Sequence, residues 1–488
     1  MKKLFFFFSF FIIICACGIN KQVDTVLVKS QPVRILYFND AHELNPVQTE
    51  IGAIGGVARM KTLIDSLKKE APDALVLFGG DLAGGTLGGK LFRGSVMVEA
   101  LNTFPVDYAN FGQHEFDYGI ENTQKLIRAS RFEWFTSNVL RTNGSPIPQS
   151  RPYITHRIGH KTIGIIGLTD KINTSKPTSG VKQTDIIQAA KTTICKMGEV
   201  DYLIAVTQMD MNLNEILLKE CPEIKLILTE ETSQYKSEVQ FVNNCPIIAG
   251  CGNMGQLVDV RADKFGNVCV AVHTIDSSLK EDKPLRTFAN EKTEIAAKQL
   301  NETLTTAPPE FKNQTNQNGS YLTGCIVADA FRQHYGVQGA IINGGGIRAL
   351  IPSGKVTVKD VYAVLPFENK VIPVRLSGKE IKEIIRLAAE RMLPQVSGLT
   401  YVIKTGKKPE IEDVSISGAT LHDSQTYTVA LPDYIVLGGG NFSAIAPSRW
   451  INRIESCTID AEILKDYLKK QPDFSALNCH RITVIESK

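Results

Sequence analysis

The sequence predicts an α/β protein with two domains in series, and three observations lead there. Short runs rich in β-branched and aromatic residues alternate with helical stretches from residue 33 to about 255, the pattern of a layered α/β domain. Near Thr274 this gives way to a polar helix over 284–304, then to TTAPPEFKNQTNQNGS at 305–320, which has little apolar content and reads as a linker. From Tyr321 a second alternation begins. The 488 residues suffice for two or three domains. With 43% hydrophobic and 22% charged residues, wholesale disorder and a polytopic membrane protein are both excluded.

Taken in order, the predicted strands of the first half are 33–38, 74–78, 108–111, 134–136, 162–167, 202–206, 226–228 and 246–248. The helices between them are 57–69, 96–103, 123–130 and 185–197. In the second half, helices 323–335, 358–364 and 378–388 alternate with strands 340–343 and 371–376, and short strands follow around Val402, Val414 and Val429. No internal repeat relates the halves. Sheets of this kind place ligands at the carboxyl ends of their strands.

Ahead of the first domain stand Lys2 and Lys3, an apolar run from Leu4 to Ile14, then Cys15-Ala16-Cys17-Gly18. The run is shorter than the roughly 20 residues that span a bilayer, and it suits a signal-peptide core. The stretch from Ile14 to Cys17 resembles a bacterial lipobox, so Cys17 is the expected lipidation site. That makes 1–17 a signal peptide and 18–30 a tether. The protein is expected to be an exported bacterial lipoprotein of the periplasm or outer membrane, held to the membrane by an N-terminal lipid. The net charge of +3 falls to +1 once Lys2 and Lys3 are removed, so no nucleic acid polymer is expected as a partner. Eight cysteines lie beyond the leader without a CxxC pair, which leaves a zinc ribbon unsupported. Disulfides are permitted in an exported chain, and the sequence names no pairing.

Four strand ends deliver acid, amide or imidazole groups: Phe38-Asn39-Asp40-Ala41-His42, Phe78-Gly79-Gly80-Asp81, Phe111-Gly112-Gln113-His114-Glu115-Phe116-Asp117 and Val206-Thr207-Gln208. An Asp after Gly-Gly is by itself a common turn residue. Carboxylates and imidazoles recurring at successive strand ends of one sheet converge in space, and such convergence suits a metal centre.

The strings ILYFNDAHE, LVLFGGD, NFGQHEFDYG, FTSNV, INGGGIRALIPSG, VLPFENKV and VALPDYIVLGGGNF, in this order over nearly the whole chain, resemble the secreted 5′-nucleotidases and their bifunctional metallophosphatase relatives. The resemblance implies a calcineurin-like metallophosphoesterase domain of β-layers flanked by helices over 31–280 and a linker helix and linker over 281–320. It further implies a separate α/β 5′-nucleotidase C-terminal domain over 321–488 that binds substrate. It implies Asp40, His42 and Asp81 as metal ligands, Asp81 bridging. It implies His114 as the group that steadies charge on the phosphoryl or leaving oxygen, and Asp117 as the acid that orients it. In the second domain it implies Asn343 and Arg348 on substrate, Phe367 stacking on one face of a base, and Tyr434 in the place of a second aromatic.

The chain departs from the family at several of these places. Gln113 stands for Asn and Gln208 for His, while Glu231 and Ser233 stand for two further histidines. Leu322 and Cys325 replace an expected Arg and Asn, and Gly440-Asn441 replaces an Asp-Gly that would carry a ribose-binding carboxylate. One metal position then keeps Asp40, His42 and Asp81. The other keeps Asp81 and gains Gln113, Gln208 and Glu231, a harder set that favours Mn, Mg or Ca over paired Zn, with one or two ions left open. The implied function is an exported, metal-dependent phosphoesterase of the 5′-nucleotidase type, releasing phosphate from nucleotides or related phosphate esters with altered metal preference. The alternative is a catalytically silent nucleotide- or ligand-binding lipoprotein that keeps the fold.

Overall fold

The computed structural model describes residues 33–50, 52–84, 86–175, 179–262, 268–314, 319–405, 409–470, 472–477 and 479–486. The expected leader, Cys17 and the tether lie outside the described residues. Two compact units divide the chain near Lys292 and Thr293.

The first unit holds two sheets. One runs Val268–Thr274, Gln256–Ala262, Val33–Phe38, Leu75–Phe78, Tyr108–Asn110, Glu133–Phe135, Ser150–Arg151 in spatial order. From Val33–Phe38 onward the strands of this sheet are parallel. The other runs Glu238–Val242, Cys245–Cys251, Ile224–Ser233, Tyr202–Gln208, Lys161–Thr169, Ile154–Ile158, with its four middle strands parallel.

Side-chain alternation along each strand sets the layers. Ile35, Tyr37, Leu75 and Leu77 pack between the sheets on Ile165, Ile204 and Leu226. Leu36, Phe38, Val76 and Phe78 face the opposite way, onto helices Val57–Glu70, Ser95–Leu101 and Gly119–Ala129. On the far side Ile166, Leu168, Leu203 and Ala205 meet helices Ile186–Met197 and Met211–Glu220. The order is helix, sheet, sheet, helix. Strands covered on both faces are apolar at nearly every position, which is why VRILYF, LVLF and YLIAV read as unbroken runs.

The second unit has a four-stranded sheet in the order Val371–Ser377, Thr426–Pro432, Gly339–Ile342, Gln395–Ser397. A second four-stranded sheet joins Ala419–Thr420, Glu410–Ile416, Leu399–Thr405 and the last strand, Ile482–Glu486. Helix Leu322–Tyr335 packs on the first of these sheets and is buried from Thr323 to Phe331. Among the described residues no helix is long and apolar enough to cross a membrane.

Three local readings differ from the structure. The stretch 305–320, read as linker, holds the end of strand Thr303–Ala307 and the short helix Pro309–Asn313 in its described part. Thr303–Ala307 pairs with Gly354–Thr357, and Leu304, Ala307 and Phe311 are buried. Its threonines, loop-like in composition, are β-branched and accept a strand. The antiparallel pair Gln256–Ala262 and Val268–Thr274 was not predicted, because Asp259 interrupts its apolar run while being fully buried against Arg34. Finally, strand 226–228 extends over Ile224–Ser233 and so carries Glu230, Glu231 and Ser233 within it.

Candidate metal and phosphate site

Parallel strands bring their carboxyl ends to one edge, and cross-sheet hydrogen bonds join the edges of both sheets there. Gln208, last in Tyr202–Gln208, donates from Nε2 to the Gly79 carbonyl at 3.2 Å, and Asn39 Nδ2 donates to Glu231 Oε2 at 3.0 Å. The Tyr37 hydroxyl donates to the Thr229 carbonyl at 2.9 Å.

Asp40 and Asp81 follow strands Val33–Phe38 and Leu75–Phe78, and both adopt left-handed backbone, with φ 57° and 64°. Such strain in a non-glycine residue persists only where surrounding bonds fix it. Here the two loops lock each other: the Asp40 N–H donates to the Gly80 carbonyl at 3.0 Å and the Ala41 N–H to the Asp81 carbonyl at 2.8 Å. Gly80, at φ 108°, has no room for a side chain, because a Cβ there would meet the Gly112 nitrogen at 2.5 Å.

The same close packing joins the third loop. Asp81 Oδ1 accepts the His114 backbone N–H at 2.8 Å. Glu115, fully buried, accepts the N–H groups of Asp81 (3.0 Å), Leu82 (2.6 Å) and Gly112 (2.6 Å). His114 Nδ1 meets Asp117 Oδ2 at 2.9 Å, so the carboxylate selects the tautomer with hydrogen on Nδ1. The His42 and His114 rings lie edge to face with centroids 5.1 Å apart.

Asp40 Oδ1 pairs with His42 Nε2 at 2.6 Å, and Asp40 Oδ2 accepts the Asn253 N–H at 2.8 Å. Burial pushes the Asp40 carboxyl up, but the bond from His42, its charge and the Asn253 N–H overcome this and hold it low. His42 is raised in turn, Asp40 outweighing burial. Asp81 goes up through burial, which exceeds the opposing pull of His114 and His42. Burial and then the charge of Asp40 push Glu231 up to about 8, and burial pushes Glu230 up to about 7 against the pull of Lys171. Burial first, and neighbouring carboxylates second, thus disfavour the charged forms of Asp81, Glu230 and Glu231 at this edge.

A divalent cation is implied here. Among the described residues no three His, Cys, Asp or Glu side chains stand as a ready-made metal group, and Asp40 and His42 are closed onto each other. Gln208 Oε1, Asn39 Oδ1 and His42 Nδ1 are buried without a partner. Unsatisfied buried oxygens beside crowded carboxylates are the chemistry of a hard-cation site, so the donors fit such an ion.

Asp40, His42, Asp81, Gln208, Glu231, His114 and Asp117 therefore meet at one edge. Gln113 is half-buried, its carbonyl accepting the Phe116 N–H. The Ser233 hydroxyl is engaged locally, by the Tyr235 N–H at 3.2 Å. Sequence reasoning passed over Glu115, Glu230 and Asn253. For Glu115 a signal existed: an acid between His114 and Phe116, in a turn flanked by buried aromatics, has little water to face. Asn253 contributes its backbone N–H, for which side-chain identity carries no signal.

In the second unit Asn343 and Arg348 flank a glycine turn after strand Gly339–Ile342. Arg348 is exposed, with its guanidinium carbon 6.0 Å from the Phe367 ring centre. Val371 pairs with Pro432, so Phe367, four residues before, and Tyr434, two after, lie at the same end of one strand pair. Both rings are exposed, 55% and 38%, where core aromatics would be covered. The turn at Gly438–Gly440 lies against the Tyr434 ring.

Comparison with known proteins agrees with this architecture. Residues 297–447 match the family model of the 5′-nucleotidase C-terminal domain. A trifunctional nucleotide phosphoesterase protein of Bacillus subtilis is 25% identical over 89% of this chain, which spans only 34% of that protein's length. The rat 5′-nucleotidase is 23% identical, over 91% of this chain and 88% of its own. The crystal structure of a 5′-nucleotidase precursor from Thermus thermophilus shares the fold, with a TM-score of 0.57 at 22% identity over 93% of this chain and 99% of its own. Residues 297–447 thus match the 5′-nucleotidase C-terminal domain, and over most of its length the chain is similar to two-domain 5′-nucleotidases and shares their fold.

Proposed function

We propose that the protein is a metal-dependent phosphoesterase that releases phosphate from nucleotides or related phosphate esters. One observation carries the reading: Asp81 Oδ1 is bonded to the backbone of His114, whose ring is oriented by Asp117 and lies 5.1 Å from that of His42. A metal edge and a general acid group are thereby tied within one hydrogen-bonded turn. Asp40, His42, Asp81 and Gln208 would hold the ion, with Glu231 beside them. When bound, a divalent cation supplies positive charge against the phosphoryl oxygens and acidifies water. In its imidazolium form His114 keeps Nδ1–H on Asp117 and donates Nε2–H to the phosphoryl or leaving-group oxygen. Arg348 offers a bidentate grip on phosphate, and Phe367 and Tyr434 offer π-faces to a base. Oxygen-rich donors support Mn, Mg or Ca over paired Zn.

The test is phosphate release from 5′-nucleotides by the purified chain. His114→Ala should lower turnover at least about 100-fold while leaving bound metal unchanged. Equal turnover in the variant would remove His114 from its role.

A second reading, a silent ligand-binding protein, has its own support. Ser233 is engaged by a neighbouring N–H and the Gln208 amide nitrogen by the Gly79 carbonyl of the facing sheet, so two family positions are spent on structural bonds. That reading predicts nucleotide binding indifferent to chelator.

The leader supports an exported lipoprotein anchored through Cys17. Cys17→Ala should abolish lipid labelling in the expressing bacterium, and undiminished labelling would contradict the assignment.

A further inference from the structure

The first-unit edge and the second-unit aromatics leave one reactive cluster unused. Cys325 lies in the first turn of helix Leu322–Tyr335, buried, and Cys479 lies just before the last strand, partly buried. The two thiols hydrogen-bond to each other.

Their approach is fixed by Arg481, two residues from Cys479. Its Nη1 donates to the carbonyls of Cys325 (3.2 Å) and Val396 (2.8 Å), and its Nη2 to Asp329 Oδ2 at 2.8 Å. The Arg481 backbone is held as well: its N–H donates to Ser320 Oγ at 3.2 Å and its carbonyl accepts the Tyr401 N–H at 3.0 Å. The segment carrying Cys479 is therefore clamped to the helix carrying Cys325 and to the strand beside it.

We propose that Cys325 and Cys479 are a redox-active pair that closes to a disulfide by exchange with an external disulfide such as oxidised glutathione. The roles divide by environment. The bond from Cys325 draws the Cys479 thiol below its usual range, with Arg481 adding to it against burial, while that bond and then burial hold the Cys325 thiol up. Cys479, the more accessible of the two, is the attacking sulfur.

The exchange balances in two displacements. The Cys479 thiolate attacks one sulfur of the external disulfide, forming a mixed disulfide and releasing one thiolate. Cys325 loses its proton and attacks the Cys479 sulfur, forming the internal bond and releasing the second thiolate. Two cysteine thiols are oxidised and one external disulfide is reduced to two thiols, which take up the two protons. The product ties the last strand to the buried helix of the second unit and uses no residue assigned to phosphoester chemistry.

The test is a peptide map of the purified full-length chain, equilibrated in a glutathione redox buffer, quenched by alkylation and digested without reduction. A cross-linked pair containing Cys325 and Cys479, two hydrogens lighter than its separate peptides and lost on dithiothreitol treatment, is expected. In Cys325→Ser the same buffer should leave glutathione on Cys479. Complete alkylation of both cysteines in the oxidising buffer would overturn the proposal, as would linkage of Cys479 to a different cysteine. The wild-type map decides the matter even if the variant fails to fold.

Discussion

At the residue scale the proposed chemistry rests on a few side chains whose neighbours decide what they do. Asp117 holds the His114 ring through one 2.9 Å bond. Asp117→Asn keeps the volume and loses the charge that favours hydrogen on Nδ1. The expected result is turnover lower by about 10- to 100-fold with KM little changed, measured by steady-state phosphate release. These residues were legible in the sequence because each follows an apolar run that ends abruptly. Phe38 and Phe78 are the last buried strand residues before Asp40 and Asp81 come into reach. What sequence does not reveal is the partner across the fold: Asn253 supplies an N–H to Asp40 from 213 residues away. Nor does it reveal that Ser233 spends its hydroxyl on a local turn.

At the scale of elements, buried polar groups fix how strands and loops sit. Glu115 ties the Asp81 loop to the His114 loop with three accepted N–H groups, and burial, then the charge of Asp81, pushes its carboxyl up to about 7. Glu115→Gln places an amide NH₂ against one of those donors. It should cost about 1–3 kcal/mol of stability, read by chemical denaturation, and lower turnover with it.

Strand Val33–Phe38 is held beside Gln256–Ala262 by a bidentate pair, Arg34 Nε to Asp259 Oδ1 at 2.9 Å and Arg34 Nη2 to Asp259 Oδ2 at 2.8 Å. Burial pushes Asp259 up, but His273, Arg34 and Arg261 together hold it well below the usual carboxylate range. A carboxyl depressed in the folded state stabilises above its unfolded pKa of about 3.9 and loses that contribution as pH falls through the folded value. Unfolding free energy should thus decline on acidification below about pH 4. Arg34→Met should cost on the order of 3 kcal/mol at neutral pH by leaving the buried carboxylate short of a partner. An unchanged stability would show that Arg261 suffices. This pair also explains why the strand around Asp259 escaped prediction: a charge within an apolar run reads as a surface residue until its partner is known.

At the scale of the whole molecule, the two units present different sets of polar and aromatic groups. The first gathers acids, amides and imidazoles at a sheet edge; the second exposes Arg348, Phe367 and Tyr434. The alternation that marks each unit was plain in the sequence, since period and composition report local structure. The strand Thr303–Ala307 was not, because its partner Gly354–Thr357 is distant and Thr-rich sequence serves loops and strands alike. Arg348→Ala should weaken nucleotide affinity about 10-fold or more without altering bound metal, measured by calorimetry beside elemental analysis.

The most direct measurement is phosphate release from a 5′-nucleotide by metal-stripped protein, resupplied in turn with Mn²⁺, Mg²⁺, Ca²⁺ and Zn²⁺. Turnover that returns with an oxygen-preferring ion, vanishes on chelation and is absent in His114→Ala is the predicted result. No release with any of the four ions, while the nucleotide still binds, would contradict it.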